Sequence, residues 1–166
     1  MGSWNKGWDK VFKNQIWGKY PAEPIIRFIS KNYPDKKINS KLKVLEVGCG
    51  TGANLWFLSK NNFQTFGIDG SFVALKSAKK LLREFNSNAK LTKGDIISLP
   101  YKDNTFDLII DMECIYANSE FHTKKILDEI HRVMKPGSRF LSISFSTKTT
   151  GYNSGKRYKN EKNTFT

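Results

Sequence analysis

The sequence is poor in several things, and each shortage excludes a class of protein. It has two cysteines in 166 residues, Cys49 and Cys114, without metal-ligand spacing and both in segments that read as loops. That excludes a disulfide framework and a cysteine metal cluster, and it suits free thiols in a reducing compartment. No apolar run is long enough for a transmembrane helix. The N-terminal aromatics alternate with Lys, Asn and Asp, so they form no signal-peptide core. The expectation is a cytoplasmic protein with no membrane partner and no metal site. Acid is also scarce: 15 Asp and Glu face 28 Lys and Arg, a net charge of +13. Such an excess ordinarily indicates nucleic acid or an anionic surface. Here only five residues are arginine, and the lysines are scattered along the whole chain. A solvated surface is the favoured reading, with tRNA, rRNA or a phosphorylated substrate as alternatives.

What is present argues for one folded domain. The hydrophobic fraction is 39%, with twelve Phe, six Tyr and four Trp, which is enough to build a core at this length. Trp4, Trp8 and Phe12 recur at four-residue spacing, followed by Trp17 and Tyr20. They read either as an amphipathic helix packed on the flank or as a lid that closes over a site. Met1 to Ser3 receive no role. Pro21 and Pro24 open a second helix, and a solvated linker covers residues 35 to 43.

Five strands are expected, alternating with helices: Leu42 to Val47, Phe63 to Ile68, Ala89 to Lys93, Phe106 to Ile110 and Phe140 to Phe145. Ser71 and Ser119 are N-caps of the helices that follow strands two and four, and Lys135-Pro136-Gly137 ends the last helix. This alternation predicts right-handed βαβ units and a parallel sheet. The divisions expected are an aromatic-rich N-terminal segment over 1–41, a core over 42–146 and a polar tail over 147–166.

The chain is organised around Val44 to Leu58, VLEVGCGTGANLWFL, an apolar strand breaking into a glycine-rich turn and resuming as a helix. Gly48, Gly50 and Gly52 let the backbone turn sharply beneath a ligand, and the helix start offers unpaired N–H groups. Glu46 stands just before the first glycine. Three acids, Glu46, Asp69 and Asp95, fall at the carboxyl ends of successive strands, the edge at which a doubly wound sheet binds ligands. The loop alone, written G-x-G-x-x-A through Ala53, also satisfies a loosely drawn dinucleotide fingerprint.

The ordered set goes further. The acid before the loop, the G-x-G-x-G form, Asp69 after strand two, Gly94-Asp95-Ile96 after strand three and Arg132-Val133-Met134-Lys135-Pro136-Gly137 before strand five together resemble the class I S-adenosylmethionine-dependent methyltransferases. The likeness is closest to small-molecule methyltransferases carrying an R-V-L-K-P-G-G signature, and it covers roughly residues 42 to 146. Ser138 departs from the pattern, standing where a second glycine is usual. The resemblance implies a Rossmann-like, doubly wound α/β sheet of strand order 3-2-1-4-5, with S-adenosylmethionine as cofactor and S-adenosylhomocysteine as product. It further implies that Glu46 and the backbone of Gly48, Cys49, Gly50 and Gly52 hold the methionine moiety. Asp69, with Gly70 and Ser71 beside it, would take the ribose hydroxyls. Asp95 and Ile96 would take the adenine, and Asp111 and Met112 would line the methyl-delivering end.

Methyl transfer from a sulfonium disperses charge, so the protein chiefly aligns reactants and excludes water. A general base is needed only if the acceptor holds its proton at neutral pH. The candidates lie just beyond strand four: Glu113, Tyr116, Asn118 and His122. The segment lacks an Asn/Asp-Pro-Pro-aromatic sequence, which argues against DNA base-amino substrates. A small-molecule acceptor modified at O or N is the first expectation. The rivals are an RNA or ribosome methyltransferase and a cofactor-binding, non-catalytic domain. Such families usually continue past strand five into a further helix and an antiparallel pair. Strand five is therefore expected to present an exposed edge that dimerises, limits solubility or is covered by the tail.

Overall fold

The computed structural model describes residues 3–15, 17–146 and 148. Its core is one five-stranded, wholly parallel sheet of order β3-β2-β1-β4-β5. The strands are β1 (Lys43–Val47), β2 (Gln64–Asp69), β3 (Lys90–Lys93), β4 (Phe106–Met112) and β5 (Met134–Ile143). The helices are α1 (Gly7–Asn14), α2 (Glu23–Asn32), a single turn α3 (Lys36–Asn39), α4 (Ala53–Lys60), α5 (Phe72–Glu84) and α6 (Glu120–Val133), with a 3-10 turn over Ile115–Ala117. This is the Rossmann-like sheet and the strand order expected from the sequence. Among the described residues no helix is long and apolar enough to cross a membrane.

Strand periodicity sends alternate side chains to opposite faces. From β1 and β4, Leu45, Val47 and Ile109 pack with Ile126, Ile130 and Val133 of α6 on one face. Val44, Leu108 and Ile110 pack with Ile25 and Ile29 of α2 on the other. Burying a Leu or Ile side chain stabilises by roughly 1.5–3 kcal/mol, so these two layers hold the central strands and leave their carboxyl ends free. The crevice lies where the order reverses, between β1 and β4.

Several local expectations shift. The segment expected as a solvated linker contains α3, because the Asp35 carboxylate accepts from the N–H groups of Lys37 (2.7 Å) and Ile38 (3.4 Å). β4 runs two residues further than expected and takes in Asp111 and Met112. β5 begins at Met134, directly after α6, and stops before Phe145. Lys135-Pro136-Gly137 therefore lies inside the strand as a bulge. The register with β4 jumps from Phe106↔Met134 to Leu108↔Arg139, and Gly137 takes a left-handed φ of 77°. Trp4 precedes α1, so the four-residue spacing of Trp4, Trp8 and Phe12 is not one helix face. Nearly all of the expected tail beyond Ser146 lies outside the described residues.

Candidate functional site

A cavity of about 1380 Å³ opens at the carboxyl edge of the sheet, walled by the glycine loop, the ends of β2, β3 and β4, and the N-terminal segment. The loop follows from its residues. Gly48 (φ 65°) lies so close to Cys114 that a side chain there would collide with its Sγ. Gly52 (φ 84°) caps α4, and a Cβ on it would stand 2.9 Å from that of Ala78 on α5. Asp69, at the end of β2, pins the turn from beside it: one carboxylate oxygen accepts from Gly50 N–H (2.8 Å) and the other from Ser71 N–H (2.8 Å).

Glu46 is 2% exposed. Its Oε1 accepts from Asn54 Nδ2 at 2.6 Å, while Oε2 is buried without a hydrogen-bond partner among the described residues. Burial raises its carboxyl to about 8, against the lowering effect of the Asn54 bond and with help from the nearby Asp69 and Asp111 charges. Burial raises the Asp69 carboxyl as well, opposed by the Ser71 and Gly50 N–H groups. Asp95 goes the other way. Burial pushes it up, but bonds from Ser3 Oγ, Trp4 N–H (3.0 Å) and Ile97 N–H (3.2 Å) outweigh that and hold it below its ordinary value.

The N-terminal segment lies across this edge. The Trp4 indole packs on Gly70, Asp9 accepts from Ser71 Oγ at 2.5 Å, and Phe12 faces Gly50. Ser3, given no role from the sequence, bonds directly to Asp95. Asn54 was also missed; its amide joins Glu46 to the chain at Ala22, whose N–H it accepts at 3.0 Å. An Asn two residues after the last loop glycine is a weak signal, legible only once the neighbouring acid is known to be buried.

The cavity wall includes Glu46, the loop glycines, Cys49, Asp69, Gly70 and Asp95, together with Ile96, Met112, Glu113, Tyr116 and Asn118. Three expected residues are not on it. Asp111 is fully buried, and its carboxylate is consumed by the N–H groups of Cys114 and Ile115 (both 3.0 Å) and by Ser142 Oγ (2.7 Å). It builds the turn after β4 and does not line the cavity. Ser71 is spent on capping α5 through Ala74 N–H and on Asp9. His122 sits in the first turn of α6 with its Nδ1 3.2 Å from Ser119 Oγ, so its ring is turned to the helix cap and not the cavity. Asn118 reaches the cavity, but its amide donates to the carbonyls of Cys114 and Ile115. Among the described residues no group of three His, Cys, Asp or Glu could hold a metal ion.

Comparison with known proteins shows which family the chain belongs to. The family described as a methyltransferase domain matches residues 38–164. The chain belongs to the class I S-adenosylmethionine-dependent methyltransferases. This methyltransferase domain is 32% identical over 116 residues to norajmaline N-methyltransferase of Rauvolfia serpentina, covering 68% of this chain and 38% of that protein. It is 35% identical over 105 residues to a demethylmenaquinone methyltransferase of Tropheryma whipplei, covering 63% and 42%. A solved methyltransferase of Aquifex aeolicus shares the fold, with a TM-score of 0.66 at 23% identity over 85% of this chain and 74% of that one. The methyltransferase domain thus spans less than half the length of these two curated relatives.

The residues of this methyltransferase fit the family's cofactor. The unpaired Oε2 of Glu46 is an orphaned buried acceptor at the floor of the cavity, and such an atom costs free energy until a donor reaches it. The ammonium of a methionine moiety is a donor of the required kind. Asp69 keeps lone pairs beyond the two N–H groups it accepts, as ribose hydroxyls require.

Proposed function

We propose that this methyltransferase domain binds S-adenosylmethionine in the cavity and directs its methyl to O or N of a small molecule, with S-adenosylhomocysteine as product. The observation that carries the reading is the buried, unpaired oxygen of Glu46 beneath a glycine loop that Asp69 pins. Glu46 would hold the ammonium, Asp69 the ribose, and Asp95 with Ile96 the adenine. When bound, the cofactor supplies an electrophilic methyl on a sulfonium. The chain's part is alignment, and exclusion of water by the aromatic N-terminal segment.

Asp95 already accepts from Ser3, Trp4 and Ile97, which leaves its carboxylate one lone-pair site for an adenine amino group. A small-molecule acceptor is supported by the two relatives, one named for norajmaline and one for demethylmenaquinone. The RNA alternative rests on the +13 charge, but the cavity wall offers carboxylates to a phosphate backbone. A cytoplasmic location is part of the same proposal.

Calorimetry with S-adenosylhomocysteine tests it. Binding is expected, and Asp69→Asn should weaken it at least about tenfold through the lost charge-assisted bonds. No binding by the intact chain refutes the reading. Affinity for tRNA that falls steeply with salt would favour the RNA alternative.

A further inference from the structure

The wall that the end of β4 supplies has a chemistry of its own. Glu113 lines the cavity on a left-handed backbone (φ 57°), fixed by its N–H to Ile143 O at 2.9 Å. No hydrogen bond or ion pair among the described residues engages its carboxylate. Tyr116 stands close enough that, after burial, the Glu113 charge is the next cause raising its phenol. Tyr116 and Phe145 pack edge to face at 5.4 Å, each about half exposed at the mouth. The N-terminal segment adds Trp8, Phe12 and Trp17, with Phe12 4.9 Å from Trp17. In a chain of net charge +13, no Lys, Arg or His is among the described residues of this wall.

With Glu46, Asp69 and Asp95 assigned to the cofactor, an anionic acceptor entering here would still meet the Glu113 carboxylate and no compensating cation among the described residues of the wall. A cation on an apolar body would meet a free carboxylate and aromatic faces, both of which attract it. We infer that the acceptor is an amine carried on an apolar, ring-sized body, and that Glu113 selects it by binding its ammonium. This rests on the methyltransferase reading above and narrows it from O or N to N. Attack needs the neutral amine, so one N–H bond must break with its electron pair left on nitrogen. The Glu113 carboxylate is placed to accept that proton as a new O–H bond and to pass it to solvent.

The test uses the full chain loaded with S-adenosylhomocysteine and three probes of similar shape: phenethylamine, phenethyl alcohol and phenylacetate. Calorimetry near neutral pH should show the amine binding at least about tenfold tighter than the alcohol, with phenylacetate weakest. Glu113→Gln should lower amine affinity about tenfold and leave the alcohol within about twofold. Equal or tighter binding of the alcohol or the acid by the parent chain overturns the inference, and so does a failure of the amine to bind. That comparison stands even if the variant does not fold. An unchanged amine preference in a folded Glu113→Gln, with a parental melting temperature, also overturns it. Failure of S-adenosylhomocysteine itself to bind is a different result and removes the underlying reading.

Discussion

Glu46 couples the cofactor cavity to pH. Its carboxyl stands at about 8 in the folded chain against an ordinary 4.5, so between those values the folded state holds a proton that the unfolded state has released. Stability from this group is therefore fully present below about 4.5 and declines as pH rises to about 8. Ligand binding runs the opposite way, because an ammonium over Oε2 favours the carboxylate. Affinity for S-adenosylhomocysteine should rise from about pH 6 to about pH 8, with proton release on binding at neutrality. Calorimetry in two buffers of different ionisation enthalpy checks this, and Glu46→Gln should flatten the dependence; a flat profile in the parent would contradict it. The position of Glu46 was legible because an acid abutting a glycine loop is a local pattern. Its protonation was not, since that depends on burial by residues distant in sequence and on Asn54, which chain order does not relate to it. The same distinction separates Glu113, which reaches the cavity, from His122, whose ring a local Ser119 contact turns to the cap.

Whole elements were more legible than their ends. Apolar patterning located the central strands β1, β2 and β4 and the major helices because core burial dominates those stretches, whereas no residue of β3 or β5 is fully buried. Lys135-Pro136-Gly137 reads from sequence as a helix terminator, yet in the fold the Arg132 to Gly137 run is a tie between layers. Arg132 donates to Glu129 (2.7 and 2.8 Å), Asp103 (2.7 Å) and the carbonyls of Tyr101 (2.8 Å) and Leu99 (3.0 Å). Glu129, whose carboxyl the Arg132 bond holds below its ordinary range, accepts in turn from Leu99 N–H at 2.7 Å. The end of α6 is thereby fastened to the loop before β4. Lys135 adds a pair with Asp107 at 2.8 Å from inside the bulge. Arg132→Ala should cost about 1–2 kcal/mol, the partial exposure of the guanidinium screening what a buried fork would give. Arg132→Lys should restore little, because an ammonium cannot reproduce the planar fork. Urea unfolding of the three proteins measures this, and a loss under about 0.5 kcal/mol would show the tie to be idle.

Across the described residues, charge and chemistry are separated: no lysine is buried, while the carboxyl edge of the sheet gathers acids and aromatics. Net charge revealed neither, because summing along a chain erases which side of a fold a residue faces. A parallel sheet was readable from the alternation of strands and helices and its order from the family resemblance, but the edges it leaves depend on what pairs there. β5 pairs with β4 and, among the described residues, with nothing on its other side. That side presents a row of unpaired N–H and C=O groups along a strand that includes Phe140, Leu141 and Ile143, the arrangement that recruits another strand. We propose that the recruited strand is β5 of a second copy, since antiparallel pairing of one edge with itself closes under two-fold symmetry and buries both edges at once. Size-exclusion chromatography with light scattering should then give twice the 19.1 kDa chain mass, shifting towards the monomer on dilution. A mass of one chain at every concentration would rule the pairing out.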